Sequence, residues 1–113
     1  MKLPYRNRAF IPPEKINNYL LSLTHEKGKH KAALFRRLGF NETNTKLFKE
    51  SLLKIAYTND VISTREIILQ DIHLGRSYVV VGKLVGATGS ANIKTVWRIL
   101  KNKRKPSLVT VIL

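Results

Sequence analysis

Two histidines in the segment 24–35, T-H-E-K-G-K-H-K-A-A-L-F, could carry out acid–base chemistry. His25 and His30 are candidates for a general acid or base, because histidine titrates near neutral pH. The alternative, which is the more common one for a single histidine, is an ordinary surface position. We do not expect a metal site here, because Glu26 is the only carboxylate of the segment and no third ligand stands at metal-ligand spacing.

Lys31 is the most informative residue of this segment. It precedes Leu34 and Phe35 by three and four positions, so in a helix it lies on the apolar stripe. A lysine in that place is partly desolvated, which brings it nearer to a role in proton transfer. The alternative is a lysine whose aliphatic chain covers the edge of the core while its ammonium reaches water. The sequence leaves both interpretations open.

Alternation along the C-terminal half places further polar and aromatic side chains on shared strand faces. Thr95 shares a face with Trp97, and Arg76 shares one with Tyr78. Such a face could hold a phosphate and stack a base. The alternative is that both aromatic rings belong to the core, which we favour for Trp97. None of the glycine-rich phosphate-loop motifs occurs in the sequence.

Positive charge dominates the composition, with 21 Lys and Arg against 7 Asp and Glu and a net charge of +14 at pH 7. Residues 27–41 and residues 72–113 contain no acidic residue. A field of one sign favours a polyanionic partner and disfavours calcium sites, which need clustered carboxylates. A solvated basic face that only maintains solubility is the alternative. Our candidates for RNA binding are Lys27, Lys29, Arg98, Lys101, Lys103, Arg104 and Lys105.

Several classes of protein are excluded by what the chain lacks. It has no cysteine, which rules out disulfide scaffolds, thiol nucleophiles and cysteine zinc sites. No apolar segment resembles a signal peptide or approaches the ~18 residues of a membrane helix. We therefore expect a cytoplasmic protein that needs no cofactor and does not associate with membranes.

The elements that must position these residues change in type near residue 60. Before it, helical spacing predicts three helices, the first starting at Pro12 and Pro13 and ending near Ser22. The second runs from about Lys29 to Leu38, with Gly39 as a left-handed cap. Asn44 is the predicted cap of the third helix. The apolar stripe of that third helix consists of Leu47, Phe48, Leu52, Ile55 and Ala56.

After residue 60 the pattern predicts strands at 61–70, 77–85, 91–100 and 107–113. Turn-like or polar segments separate them, and short connections make consecutive strands neighbours in an antiparallel sheet. With 113 residues and no linker, the chain is predicted to be a single α+β domain, 1–113.

Over nearly its whole length, the chain resembles a family of small bacterial proteins of this size. The most specific parts of the resemblance are the block H-x-x-G-x-x-K-A-x-x-F, which starts at His25, and the T-V-W…L-V-T ending. That family resembles the barnase, EndoU, colicin-nuclease and RelE group of ribonuclease toxins. The resemblance implies a barnase- or RelE-like fold and a metal-independent endoribonuclease, a toxin encoded beside a small antitoxin protein. The charge of this chain suits an acidic antitoxin.

Carried over by position, the resemblance also implies a catalytic set for cleavage at the ribose 2′-OH. His25 would be the base or acid. Lys31 and Arg76 would neutralise the charge that develops on the phosphate. Thr95 would hydrogen-bond a phosphate oxygen. Additional candidates are His30, where relatives often carry Asn, and Thr110.

Two other functions fit the same features. The first is a nucleic-acid-binding module without catalytic activity, which would bind RNA and leave it intact. The second is an interaction domain whose basic face docks an acidic partner protein, which would bind that partner far better than RNA.

Overall fold

The computed structural model describes residues 1–16, 20–22, 24 and 29–112. His25 and Lys27 of the predicted site lie outside the described residues. The described part is an α+β fold with three helices and a four-stranded antiparallel sheet. In chain order, a 3-10 turn (Arg6–Arg8) is followed by α1 (Pro13–Lys15), α2 (Lys29–Arg37), α3 (Thr45–Thr58), β1 (Val61–Leu69), β2 (Ile72–Gly86), β3 (Gly89–Leu100) and β4 (Ser107–Ile112).

The helix predictions are confirmed for α2 and corrected in part for α1. Gly39 ends α2 as predicted, with φ of 103° and its N–H bonded to the Arg36 carbonyl. Among the described residues the first α-helix is Pro13–Lys15, and the part of the prediction that covers residues 17–19 lies outside them. Further on, Leu21 donates to the carbonyl of Ile16, five residues back, which is a π-type hydrogen bond.

The predicted start and stripe of α3 need two corrections. Asn44 occupies the cap position, but its side chain makes no capping hydrogen bond. It instead accepts from the Asn41 N–H and donates to the Gly39 carbonyl, each at 2.8 Å, and thereby fixes the α2–α3 connection. Leu47 is 50% exposed and faces solvent, because it lies at the margin of a stripe whose other members are buried.

The sheet has the strand order β1-β2-β3-β4, as short connections predict. β2 begins at Ile72, five residues earlier than its predicted start. Gln70 and Asp71 both adopt positive φ, 51° and 64°, so two residues alone make the β1–β2 turn. The residues that follow them, predicted as part of a turn, therefore continue the strand.

The core lies between one face of the sheet and the helices. Trp97 is fully buried there, and Phe48 contacts both Phe35 and Phe40 with ring centroids 4.9 Å apart. A Cβ on Gly82 would come within 2.7 Å of the Ile55 side chain, so a glycine at this position lets α3 approach β2 closely. No helix in the described ranges has the length and apolar character to cross a membrane.

Candidate nucleic-acid interface

Two of the candidate catalytic residues meet, although 79 positions separate them in the sequence. The Nζ of Lys31 in α2 donates a hydrogen bond of 2.8 Å to the Oγ1 of Thr110 in β4. Both side chains are half-buried. The ammonium is thus held at the edge of the sheet by a polar side chain of β4.

Local structure explains why these two side chains can meet. One turn after Lys31, Phe35 is fully buried and anchors α2 in the core. On β4, the pairing with β3 shifts register between Leu108 and Thr110, which leaves one extra residue as in a β-bulge. Bulges re-aim side chains, and this one places Thr110 opposite Val96.

Arg76 lies apart from the Lys31–Thr110 contact. Its guanidinium contacts the Glu66 carboxylate and the Thr64 hydroxyl on β1, each at 3.1 Å. Its register partner on β3 is Ile99, whereas Thr110 lies on the far edge strand. The structure therefore does not bring Arg76 together with Lys31, as the carried-over catalytic set required.

Thr95 is a core residue and not an accessible phosphate ligand. It is fully buried, its hydroxyl donates to the Val80 carbonyl, and it accepts from the indole N–H of Trp97, each at 2.8 Å. The predicted shared face of Thr95 and Trp97 is confirmed, and so is the core position of Trp97. The hydroxyl satisfies a buried indole that must have a partner. Burial keeps a phosphate oxygen from reaching it.

His30 is more exposed than Lys31 and Thr110. His30 is exposed in the first turn of α2, as is its neighbour Lys29. Both precede Lys31 on the same helix, so this end of α2 presents positive or titratable groups to solvent. His25 belongs to the part of the chain that is not described.

A basic groove of about 640 Å³ runs along the connection between β3 and β4. Among the described residues that line it, five are cationic and none is acidic. Four of these cations were predicted from the sequence. The fifth predicted residue of this region, Lys101, is exposed but does not line the groove. The lining residues are Arg8, Phe10, Pro12, Arg98, Leu100, Asn102, Lys103, Arg104, Lys105 and Ser107.

Sequence analysis missed two members of this groove, Arg8 and Phe10. They belong to an N-terminal segment that pairs with β4. The Phe10 N–H donates to the Pro106 carbonyl at 2.9 Å, and the Leu108 N–H donates to the Phe10 carbonyl at 3.1 Å. The basic and aromatic residues of R-N-R-A-F could have suggested a binding segment. Its pairing with β4, nearly a hundred residues away, leaves no pattern in the local sequence.

The groove continues onto the face of the sheet that lies opposite the core. By register, Arg65, Ser77, Arg98 and Ser107 form one row across the four strands. The next row contains Val96 and Thr110. A rise of about 3.4 Å per residue puts Arg98 about 7 Å from that row. The cationic groove and the Lys31–Thr110 contact are therefore neighbours on one surface.

Comparison with known proteins identifies a family. The chain belongs to the family described as "Domain of unknown function (DUF6883)", which matches residues 2–113. No curated protein and no solved structure matches the chain. The family covers nearly the full length of the described fold, including both residues of the Lys31–Thr110 contact.

Proposed function

We propose that this protein is a metal-independent endoribonuclease that holds RNA in its basic groove and cleaves it near Lys31. The observation that carries the proposal is the 2.8 Å contact between Lys31 and Thr110. These residues come from the two most specific blocks of the resemblance, H-x-x-G-x-x-K and L-V-T. If Lys31 only covered the edge of the core, it would not need a partner from the second block.

Charge supports RNA as the substrate. The groove presents the cations of Arg8, Arg98 and the 103–105 turn without a lining carboxylate. Elsewhere among the described residues, acidic side chains are paired with cations in the ion pairs Glu42–Arg36, Asp60–Lys2 and Glu66–Arg76. The described lining of the groove is thus cationic without a carboxylate, and a phosphate backbone complements it.

The reaction that we propose is transphosphorylation within the RNA. The ribose 2′-oxygen loses its proton to a base and bonds to the adjacent phosphorus, while the bond from phosphorus to the 5′-oxygen breaks. An acid delivers a proton to that 5′-oxygen. The products are a 2′,3′-cyclic phosphate and a 5′-hydroxyl, and neither water nor an oxidant is consumed.

Roles in this reaction follow from position and charge. The Lys31 ammonium neutralises the phosphorane, and a preorganised donor of this type contributes about 3–4 kcal/mol. Thr110 holds that ammonium in place. His25 remains our candidate for the base or acid, a role that contributes about 10²–10⁴-fold. We leave Thr95 and Arg76 out of the reaction, because one is buried and the other is paired with Glu66.

The proposal includes a biological role as a toxin. The resemblance to the barnase, EndoU, colicin-nuclease and RelE group supports both that role and a barnase- or RelE-like origin of the fold. A net charge of +14 suits inhibition by an acidic antitoxin that covers the same surface as RNA.

Incubation of the purified protein with end-labelled single-stranded RNA in EDTA tests the activity. We expect fragments that end in 2′,3′-cyclic phosphate, and no cleavage of a DNA strand of the same sequence, which lacks the 2′-OH. RNA that is bound but stays intact would reject the proposal in favour of a non-catalytic binding module. Failure to bind RNA would favour the domain that docks an acidic protein.

A further inference from the structure

One exposed aromatic ring is fixed at the wall of the basic groove. Phe10 is 44% exposed, although the two hydrogen bonds to Pro106 and Leu108 hold its backbone against β4. The start of the same segment is also held, because the Val61 N–H donates to the Met1 carbonyl at 2.7 Å. The ring is thus presented by a backbone that is anchored at Phe10 itself and at the start of its segment, so little conformational entropy is lost when a ligand binds to it.

The surroundings of this ring combine positive charge with apolar surface. Arg8 lies two residues before Phe10, and Arg98 and the 103–105 turn supply the other cations of the groove. Pro12 and Leu100 add apolar lining next to the ring. Proteins bind single-stranded nucleic acid with cations that contact its phosphate backbone and aromatic rings that stack on its bases.

We infer that Phe10 is a stacking platform for one base of a single-stranded RNA whose phosphates lie in the groove. This inference rests on the proposed function for the identity of the ligand and adds the strand form that is selected. In a duplex the bases are already stacked on one another and cannot pack on Phe10. The cations attract both forms, and the ring distinguishes between them.

Binding of non-cleavable RNA tests the inference separately from catalysis. The probes are a 2′-O-methyl oligonucleotide and the duplex formed by the same strand, and fluorescence anisotropy reports affinity. We expect Phe10→Ala to weaken single-strand binding about tenfold or more, and duplex binding less than about twofold. The slope of log K against log salt should not change, because no cation is removed. Phe10→Trp should retain the single-strand affinity.

Two further variants test whether the aromatic face of Phe10 is what binds the base. Phe10→Leu keeps apolar bulk but has no aromatic face, so it should weaken single-strand binding as Phe10→Ala does while melting close to the wild type. Tyr57→Ala is the matched control, because Tyr57 is 53% exposed, lies beside Arg6 and does not line the groove. We expect it to bind like the wild type.

The possible results separate this inference from the proposed function. Wild-type affinity in Phe10→Leu, or equal losses for single strand and duplex, would overturn the stacking role even if the protein cleaves RNA. A wild-type protein that cleaves nothing would overturn the ribonuclease proposal, yet selective loss of single-strand binding in Phe10→Ala and Phe10→Leu would still support the stacking site.

Discussion

The hydroxyl of Thr95 connects two buried groups of the core, the Val80 carbonyl and the Trp97 indole N–H. We predict that Thr95→Val leaves the buried Trp97 N–H without its acceptor and removes one donor from the Val80 carbonyl. Removing one partner of a buried hydrogen bond costs about 1–3 kcal/mol. For a domain of this size that lowers the melting temperature by about 4–8 °C per kcal/mol. Thermal denaturation followed by circular dichroism measures the change.

Cleavage per folded Thr95→Val molecule should equal that of the wild type. Thr64→Val provides a control, because Thr64 is exposed on β1 and its replacement should change stability by less than about 0.5 kcal/mol. A Thr95→Val protein that melts like the wild type but fails to cleave would return Thr95 to the catalytic set.

At the scale of elements, the connection between α2 and α3 contains a pH-dependent contact. Arg36 donates to the Glu42 carboxylate at 2.8 Å and to the Leu21 carbonyl at 3.0 Å. The hydrogen bond from Arg36 lowers the pKa of Glu42 below its ordinary value. The contact therefore stabilises the fold above the ordinary pKa of a glutamate, and this contribution disappears as the pH falls through the lowered value.

We predict that Glu42→Gln lowers the melting temperature slightly at neutral pH and progressively less as the pH falls. The two proteins should have the same melting temperature once Glu42 of the wild type is protonated. The effect is small because Glu42 is exposed to solvent. Melting curves of both proteins between pH 7 and strongly acidic conditions provide the measurement, and a difference that does not vary with pH would contradict the assignment.

Local signals account for most of the elements that the sequence predicted correctly. Helix α2 and its cap at Gly39 follow from spacing and from a residue that tolerates positive φ. The early start of β2 was missed because Gln70 and Asp71 are unusual choices for a two-residue turn with positive φ at both positions. The π-type turn at Leu21 has no reliable sequence pattern.

The sequence named candidate residues but could not predict which of them are in contact. Lys31 and Thr110 were both candidates, but their meeting depends on a bulge in β4 and on the packing of α2. The pairing of Phe10 with β4 is equally non-local. Alternation correctly placed Thr95 on the face of Trp97, and that face is buried, as we favoured for Trp97.

At the scale of the whole molecule, the basic groove predicts a strong dependence of RNA binding on salt. Replacing Lys103 and Arg104 by Ala should flatten the slope of log K against log salt by up to about two units. Lys46 and Lys54, exposed on α3, form the control pair with the same loss of charge. Equal flattening by both double variants would show that net charge, and not the groove, binds the RNA.

The account depends most on Lys31, and comparison of Lys31→Ala with Lys29→Ala tests it most directly. Both variants lose one charge from α2, but only Lys31 contacts Thr110. We predict that Lys31→Ala reduces the cleavage rate by about 10²–10³-fold, with RNA affinity and melting temperature near the wild type. At saturating RNA, Lys29→Ala should cleave like the wild type, because Lys29 is a candidate for binding RNA and has no role in the proposed reaction. If Lys31 only covers the core, Lys31→Ala will instead lose about 1 kcal/mol of stability and cleave normally per folded molecule, a result that would contradict the proposed site.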